Sequence, residues 1–150
     1  MPEGETSARF VLPLLVAGQA QKEVTHNEAL TLIDLALCPV VEAVGINSPP
    51  SSPILGQAWI IGTAPSGVWL GSANALAGWT AGGWRFVQLP VGASVMIRSN
   101  SLKWKRNSAS WVVSPTASVP SGGSIVDVQC RAALSGVIDA LISHGLLASS

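Results

Sequence analysis

The sequence predicts a mainly β protein with helices at both ends, an α+β chain. An N-terminal helix precedes a short-stranded antiparallel β meander, and a linker leads to a C-terminal oligomerising helix. Three observations point there. Short apolar runs in the middle of the chain are broken by Gly, Asn and Ser turn chemistry at hairpin spacing. Helical periodicity is confined to the two ends. Of the 150 residues, 48% are apolar and only 11% charged, against about a quarter charged in an average domain. That composition excludes a disordered chain. It also leaves a monomer with much neutral and apolar surface, which points to burial between subunits.

Taken in order, residues 1–8 are polar and acidic and read as a flexible N-terminus. They lack the basic start of a signal peptide, so an unprocessed chain made in the cytoplasm is expected. Residues 9–113 form the helix-plus-meander domain. Within it, Thr25 and Glu28 have capping-box spacing. Leu30, Ile33 and Leu37 follow on one face, which gives a helix over 26–37 that Pro39 stops; residues 19–24 can add a preceding turn. After the alternating 40–44 segment, the Pro/Ser run at 47–53 is a loop with polyproline character. Strands are expected at 58–61, 75–79, 84–89, 94–98, 102–105 and 110–113, with hairpin-sized turns at 81–83 and 99–101. Residues 114–123 are a linker by composition.

The last unit, 124–150, holds a helix over 124–147, with Ser124 as cap and Asp127 in the first turn. Its polar residues Arg131, Ser135, Asp139 and Ser143 make one stripe and most of the rest is apolar. Such a helix needs more than one neighbour. Cys130, Leu134, Val137 and Leu141 have heptad-like spacing and form the expected oligomerisation seam of a homotrimer; docking on the chain's own β domain is the alternative. The apolar stretches at 10–17 and 132–148 are too short or too interrupted to cross a bilayer, so no membrane insertion is expected.

Charge is segregated. Residues 1–42 carry net −4, the stretch to residue 126 carries +5 with no carboxylate, and the remainder carries −1. The total of zero argues against a nucleic-acid binder. Cys38 and Cys130 have neither zinc nor redox spacing, and read as two buried free thiols, with a long-range disulfide as the alternative. No nucleotide-binding or metalloprotease motif occurs, and no metal or cofactor is expected. His26 reads as a capping or packing residue and His144 as a C-terminal cap. The acid-free stretch cannot supply the carboxylate pair of a usual glycosidase, so the chain is expected not to be an enzyme.

All six tryptophans lie in that stretch. Each can be core or a platform for a sugar ring. Trp69 lies close to Gly67 and Gly71, Trp79 beside a Gly-rich turn, and Trp104 between two lysines. These three are the candidate glycan platforms, with Arg98, Lys103 and Arg106 to meet acidic sugars. Strand alternation turns Trp104 away from Lys103 and Lys105.

Leu12-Pro13-Leu14-Leu15, Ala17-Gly18-Gln19-Ala20-Gln21-Lys22 and Val24-Thr25-His26-Asn27-Glu28-Ala29-Leu30 closely resemble the opening signature of domain of unknown function 2793. Gly67-Val68-Trp69-Leu70-Gly71 and Ala77 to Phe86 resemble that family's Gly/Trp-rich middle. The resemblance spans about residues 9–113. It implies a phage or gene-transfer-agent fibre or head spike, a virion or particle surface protein. Its partners would be its own copies in a homotrimer, other fibre, capsid or tail proteins, and host-cell polysaccharide. It supplies no catalytic residue. Members often carry acids in the strand turns, and this chain has none there. The alternative function is a structural adaptor without a glycan site of its own.

Overall fold

The computed structural model describes residues 6–16, 18 and 22–149. Helix α1 spans Lys22–Ala36. Eight strands follow: β1 Val40–Val41, β2 Val44–Ile46, β3 Ala58–Ile61, β4 Leu76–Thr80, β5 Gly83–Val87, β6 Ser94–Ile97, β7 Lys103–Arg106 and β8 Trp111–Val113. Helix α2 spans Val128–Ser143. The mainly β, α+β class is as expected, and the six expected strands, β3 to β8, lie within two residues of their expected bounds, while β1 and β2 are additional.

The meander is not one sheet. The strands form a first sheet ordered β1-β6-β7-β8 and a second ordered β2-β3-β4-β5. Within residues 40–46 the chain crosses between them. β1 pairs in parallel with β6, and β2 in parallel with β3. All other strand pairs are antiparallel.

Alternation divides the core in two. Ala58 and Ile60 of β3 face one cluster with Leu76, Val41, Val95, Trp111 and Leu35 of α1. Trp59 and Ile61 face the other with Ala75, Ala77 and Trp69. All of β3 is therefore buried, as its unbroken apolar run requires. Helix α1 packs on β4 and β5, where Leu35 lies on Gly78 and a Cβ at Gly78 would overlap its methyl groups.

The segment before α1 is a strap held by the helix. Asp34 is 2% exposed. Its Oδ1 accepts from Ser7 Oγ at 2.6 Å and from the Phe10 N–H at 2.7 Å, and its Oδ2 from the Arg9 N–H at 3.0 Å. Thr6 bridges to Pro13 and Ser7 is buried, so the fold extends into the stretch expected to be flexible. Asn27 clamps Leu15 by accepting its N–H and donating to its carbonyl, both at 2.9 Å.

Several local expectations are corrected. Thr25 lies inside α1 rather than at its cap, because the helix already runs from Lys22, and Glu28 reaches Arg85 of β5 at 2.8 Å instead of folding back. Of the expected preceding turn, residues 22–24 belong to α1, and 19–21 lie outside the described residues. His26 is exposed within α1 rather than at its cap. Helix α2 starts after Asp127, not Ser124; the Asp127 carboxylate accepts the Cys130 N–H at 2.8 Å and takes over the capping. Cys38 and Cys130 are free but exposed, not buried. His144 is the C-cap of α2.

Only Ile138 of α2 is buried, so Cys130, Leu134 and Val137 stand exposed and Leu141 half-buried. The end of α2 is latched to the first sheet. Gly145 O accepts the Lys103 N–H at 3.3 Å and Ser114 Oγ at 2.9 Å, and the Ala148 N–H donates to Pro115 O at 2.8 Å. Arg131 donates to the Pro120 and Gly122 carbonyls, which ties the linker to the start of α2. No helix among the described residues is long and apolar enough to cross a membrane.

Asp34→Asn would set an amide N–H₂ against donors, or turn its lone pairs away from them. Urea unfolding is expected to show a loss of about 3 kcal/mol. Gly78→Ala is expected to cost about 2 kcal/mol through overpacking, with partial rescue by Leu35→Val.

Candidate functional site

The six tryptophans do not form an exposed row. Trp69 is 0% exposed. It sits on a 3-10 turn, Gly67–Trp69, that folds the loop over the outer face of the second sheet. There its ring meets Trp84 edge-on at 5.1 Å and Trp59 at 6.5 Å. Trp69 is therefore a core residue and not a platform. Trp79 and Trp84 are a cross-strand pair with rings 5.1 Å apart, both half-buried beside half-buried Phe86. The partly exposed aromatic ledge is thus Trp79, Trp84 and Phe86. Sequence reasoning missed Trp84, although the short turn between β4 and β5 pairs it with Trp79.

Trp104 and Arg106 share one face of β7, two residues apart. Both are half-buried, and Trp104 packs against the first core cluster. Trp104 Nε1 and Arg106 Nη1 are buried without a partner among the described residues. Strand alternation sends Lys103 and Lys105 the other way.

Three depressions along the first sheet share lining residues. The largest, about 500 Å³, is lined by Arg9, Phe10, Glu42, Leu55, Gln57 and Arg98, among others. It shares Cys38 and Val40 with a second of about 200 Å³. That one shares Ser94 and Lys103 with a third of about 250 Å³, which adds Trp104, Lys105 and Leu146. The result is a groove with Arg9 and Arg98 at one end and Lys103 and Lys105 at the other. Glu42 is the one carboxylate among its lining residues, and its Oε1 is 2.8 Å from Arg98 Nε. Of the sequence candidates, the structure brings Arg98 and Lys103 to this groove; Trp104 borders its third depression while packing against the first core cluster, and Trp69, Trp79 and Arg106 lie off it. Lys105 was missed as a site residue, although it follows Lys103 at strand period.

Arg9 is positioned from the strap. Its guanidinium donates to the Leu35 carbonyl at 2.9 Å and, at longer range, to those of Cys38 and Val40. Helix α1 has no basic residue in its last turn, so Arg9 supplies the charge that its carbonyl end favours. Burial pushes the Arg9 guanidinium below its usual value; Asp34 pulls it upward and Arg98 adds to the depression.

A separate depression of about 240 Å³ lies between the strap, α1 and the β4–β5 hairpin. Its polar groups Asn27, Glu28, Asp34 and Arg85 all bind one another or the strap, so it is a packing seam. Among the described residues, no three His, Cys, Asp or Glu side chains come together as a metal set.

Residues 26–112 match the family described as "Protein of unknown function (DUF2793)". The chain belongs to that family. No curated protein and no solved structure matches it. The matched span runs from within α1 into β8 and takes in Arg98, Lys103, Trp104 and Lys105; Arg9 and Phe10 of the strap, and α2, lie outside it.

Brief hydroxyl-radical labelling read by mass spectrometry is expected to modify Trp79 and Trp84 well before Trp69. Trp69→Ala is expected to cost about 4 kcal/mol, as loss of a large buried ring does.

Proposed function

We propose that this chain is a surface component of a phage-like particle, a fibre or spike of a phage or gene transfer agent. It would assemble as a homotrimer through α2 and attach to acidic polysaccharide on a bacterial cell through the groove of the first sheet. The observation that carries the binding reading is the groove itself. It gathers Arg9, Arg98, Lys103 and Lys105 beside a single carboxylate that is already paired. An extended acidic polymer suits a cationic trough whose low-polarity walls focus its field. The assembly reading rests on α2, whose seam residues Cys130, Leu134 and Val137 are exposed on the single chain. The particle context rests on the family resemblance. The protein is read as a binder, not a catalyst.

A single sugar offers little apolar area, so one site binds weakly. Three sites per trimer, and many trimers per particle, raise attachment through effective concentration. The second reading, a structural adaptor joining the particle to another fibre or receptor-binding protein, is favoured by the burial of Trp69 and half-burial of Trp79 and Trp104.

Light scattering is expected to return the mass of three chains, and Leu134→Asp to give monomers, because a charge would enter the dry seam. The trimer is expected to bind host cells and their extracted polysaccharide. Added salt should weaken that binding, and the double variant Lys103→Glu, Lys105→Glu should reduce it strongly. A folded trimer that binds neither cells nor polysaccharide would leave the adaptor reading in its place.

A further inference from the structure

Resting on the polysaccharide reading, we infer that the sugar recognised is a hexuronic acid, seated in the largest depression with its carboxylate on Arg98. That depression, at about 500 Å³, is the roomiest part of the groove and exceeds the volume of one sugar ring. Its chemistry is specific in four respects. Arg98 is 56% exposed and holds Glu42 through Nε alone, so among the described residues its two Nη groups have no acceptor. They form a free fork of the kind that takes a carboxylate by two parallel bonds. Glu42 spends Oε1 on Arg98, and Oε2 has no donor among the described residues, so it can accept a hydroxyl. Gln57 spends its Oε1 on the Ile54 N–H at 2.8 Å, which leaves the Nε2 hydrogens to donate to a ring or hydroxyl oxygen. Phe10 and Leu55, 43% and 54% exposed, supply an apolar wall for the C–H face of a pyranose.

A uronate presents all of these features at once: a carboxylate, hydroxyls that both donate and accept, and an apolar face. A neutral sugar would leave the Arg98 fork unused. A phosphate dianion could use the fork, but it has no apolar face for Phe10 and Leu55, and its second negative charge would meet the free Glu42 oxygen. Arg9 contributes charge at the edge of the depression, with three of its five N–H donors turned to the carbonyls of Leu35, Cys38 and Val40. Arg9 and Arg98 repel each other across the depression, and a bound carboxylate relieves that repulsion.

The probe is trigalacturonic acid, titrated calorimetrically into the protein beside its methyl ester, which has the same ring and no charge. The acid is expected to bind on the order of tenfold tighter than the ester, and Arg98→Gln to erase that difference. Phe10→Ala is expected to weaken acid and ester alike. Arg98→Lys keeps the charge but loses the fork, and is expected to fall between wild type and Arg98→Gln. Thermal unfolding of each variant reports its fold. Were Arg98→Gln to unfold, the acid–ester comparison on the wild type and the Arg98→Lys titration decide. Equal affinity for acid and ester, or an Arg98→Gln variant that binds like wild type, overturns the inference. If extracted host polysaccharide then still binds, the polysaccharide reading stands without it; if neither binds, both fall.

Discussion

The fold depends on one buried carboxylate. Asp34 gathers the Ser7 hydroxyl and the N–H groups of Arg9 and Phe10, and this arrests the strap on α1. Burying a carboxylate is unfavourable unless its lone pairs are met, and here three donors meet them. The strap bends sharply to deliver them: Val11 has φ +55°, a left-handed conformation costly for a β-branched residue. The Ser7–Leu12 backbone bond and the bond from the Leu12 N–H to Ser7 Oγ close that bend. Once it is closed, the Arg9 side chain lies where α1 ends and caps it. The same capping residue lines the groove, so the strap builds both the helix end and part of the site.

The charge segregation has a use inside the chain. Acids of the first 42 residues meet bases of the β region: Glu28 pairs with Arg85, and Glu42 with Arg98. These partly exposed pairs contribute little stability each. Their value is directional, because they seat α1 on β5 and bring β1 alongside the strand end at Arg98. Among the described residues they also leave Lys103 and Lys105 without a carboxylate partner. The zero net charge conceals a local cationic surface, which total charge alone could not reveal.

Most strands were legible because their ends are chemical. Turns with Gly, Ser and Asn separate apolar runs, and those signals are local. What was not legible is non-local. β1 and β2 have two and three residues, and they are strands only because β6 and β3 lie beside them in parallel. The split into two sheets therefore could not be read from turn spacing. Thr25 and Glu28 had the spacing of a cap, but Glu28 is drawn to Arg85, 57 positions away. Trp69, close to two glycines, looked exposed; the 3-10 turn those glycines permit is what folds its ring inward. In the groove, Arg98, Lys103 and Trp104 were visible as bases and an aromatic in an acid-free stretch. Arg9, Phe10 and Gln57 carried no signal, because the strap and a distant loop bring them there.

The groove and the end of α2 meet at one point. Ser114 Oγ lies 2.9 Å from both the Lys103 and Gly145 carbonyls and shares its one hydrogen between them, and Leu146 walls the groove beside Lys103 and Lys105. Gly145 can make this contact because it adopts φ +66°, and a side chain there would run into the Ser101 carbonyl. The linker and α2 therefore form a closed arm whose two ends return to Ser114, rather than a free tether. In the proposed trimer this matters for attachment. A freely hinged helix would let three grooves point anywhere, and their effective concentration for one polymer would fall with the length of the tether. A latched helix fixes each groove relative to the seam. Three weak sites held at set distances can then engage one repeating polysaccharide together, which is the arrangement that best converts weak binding into firm attachment.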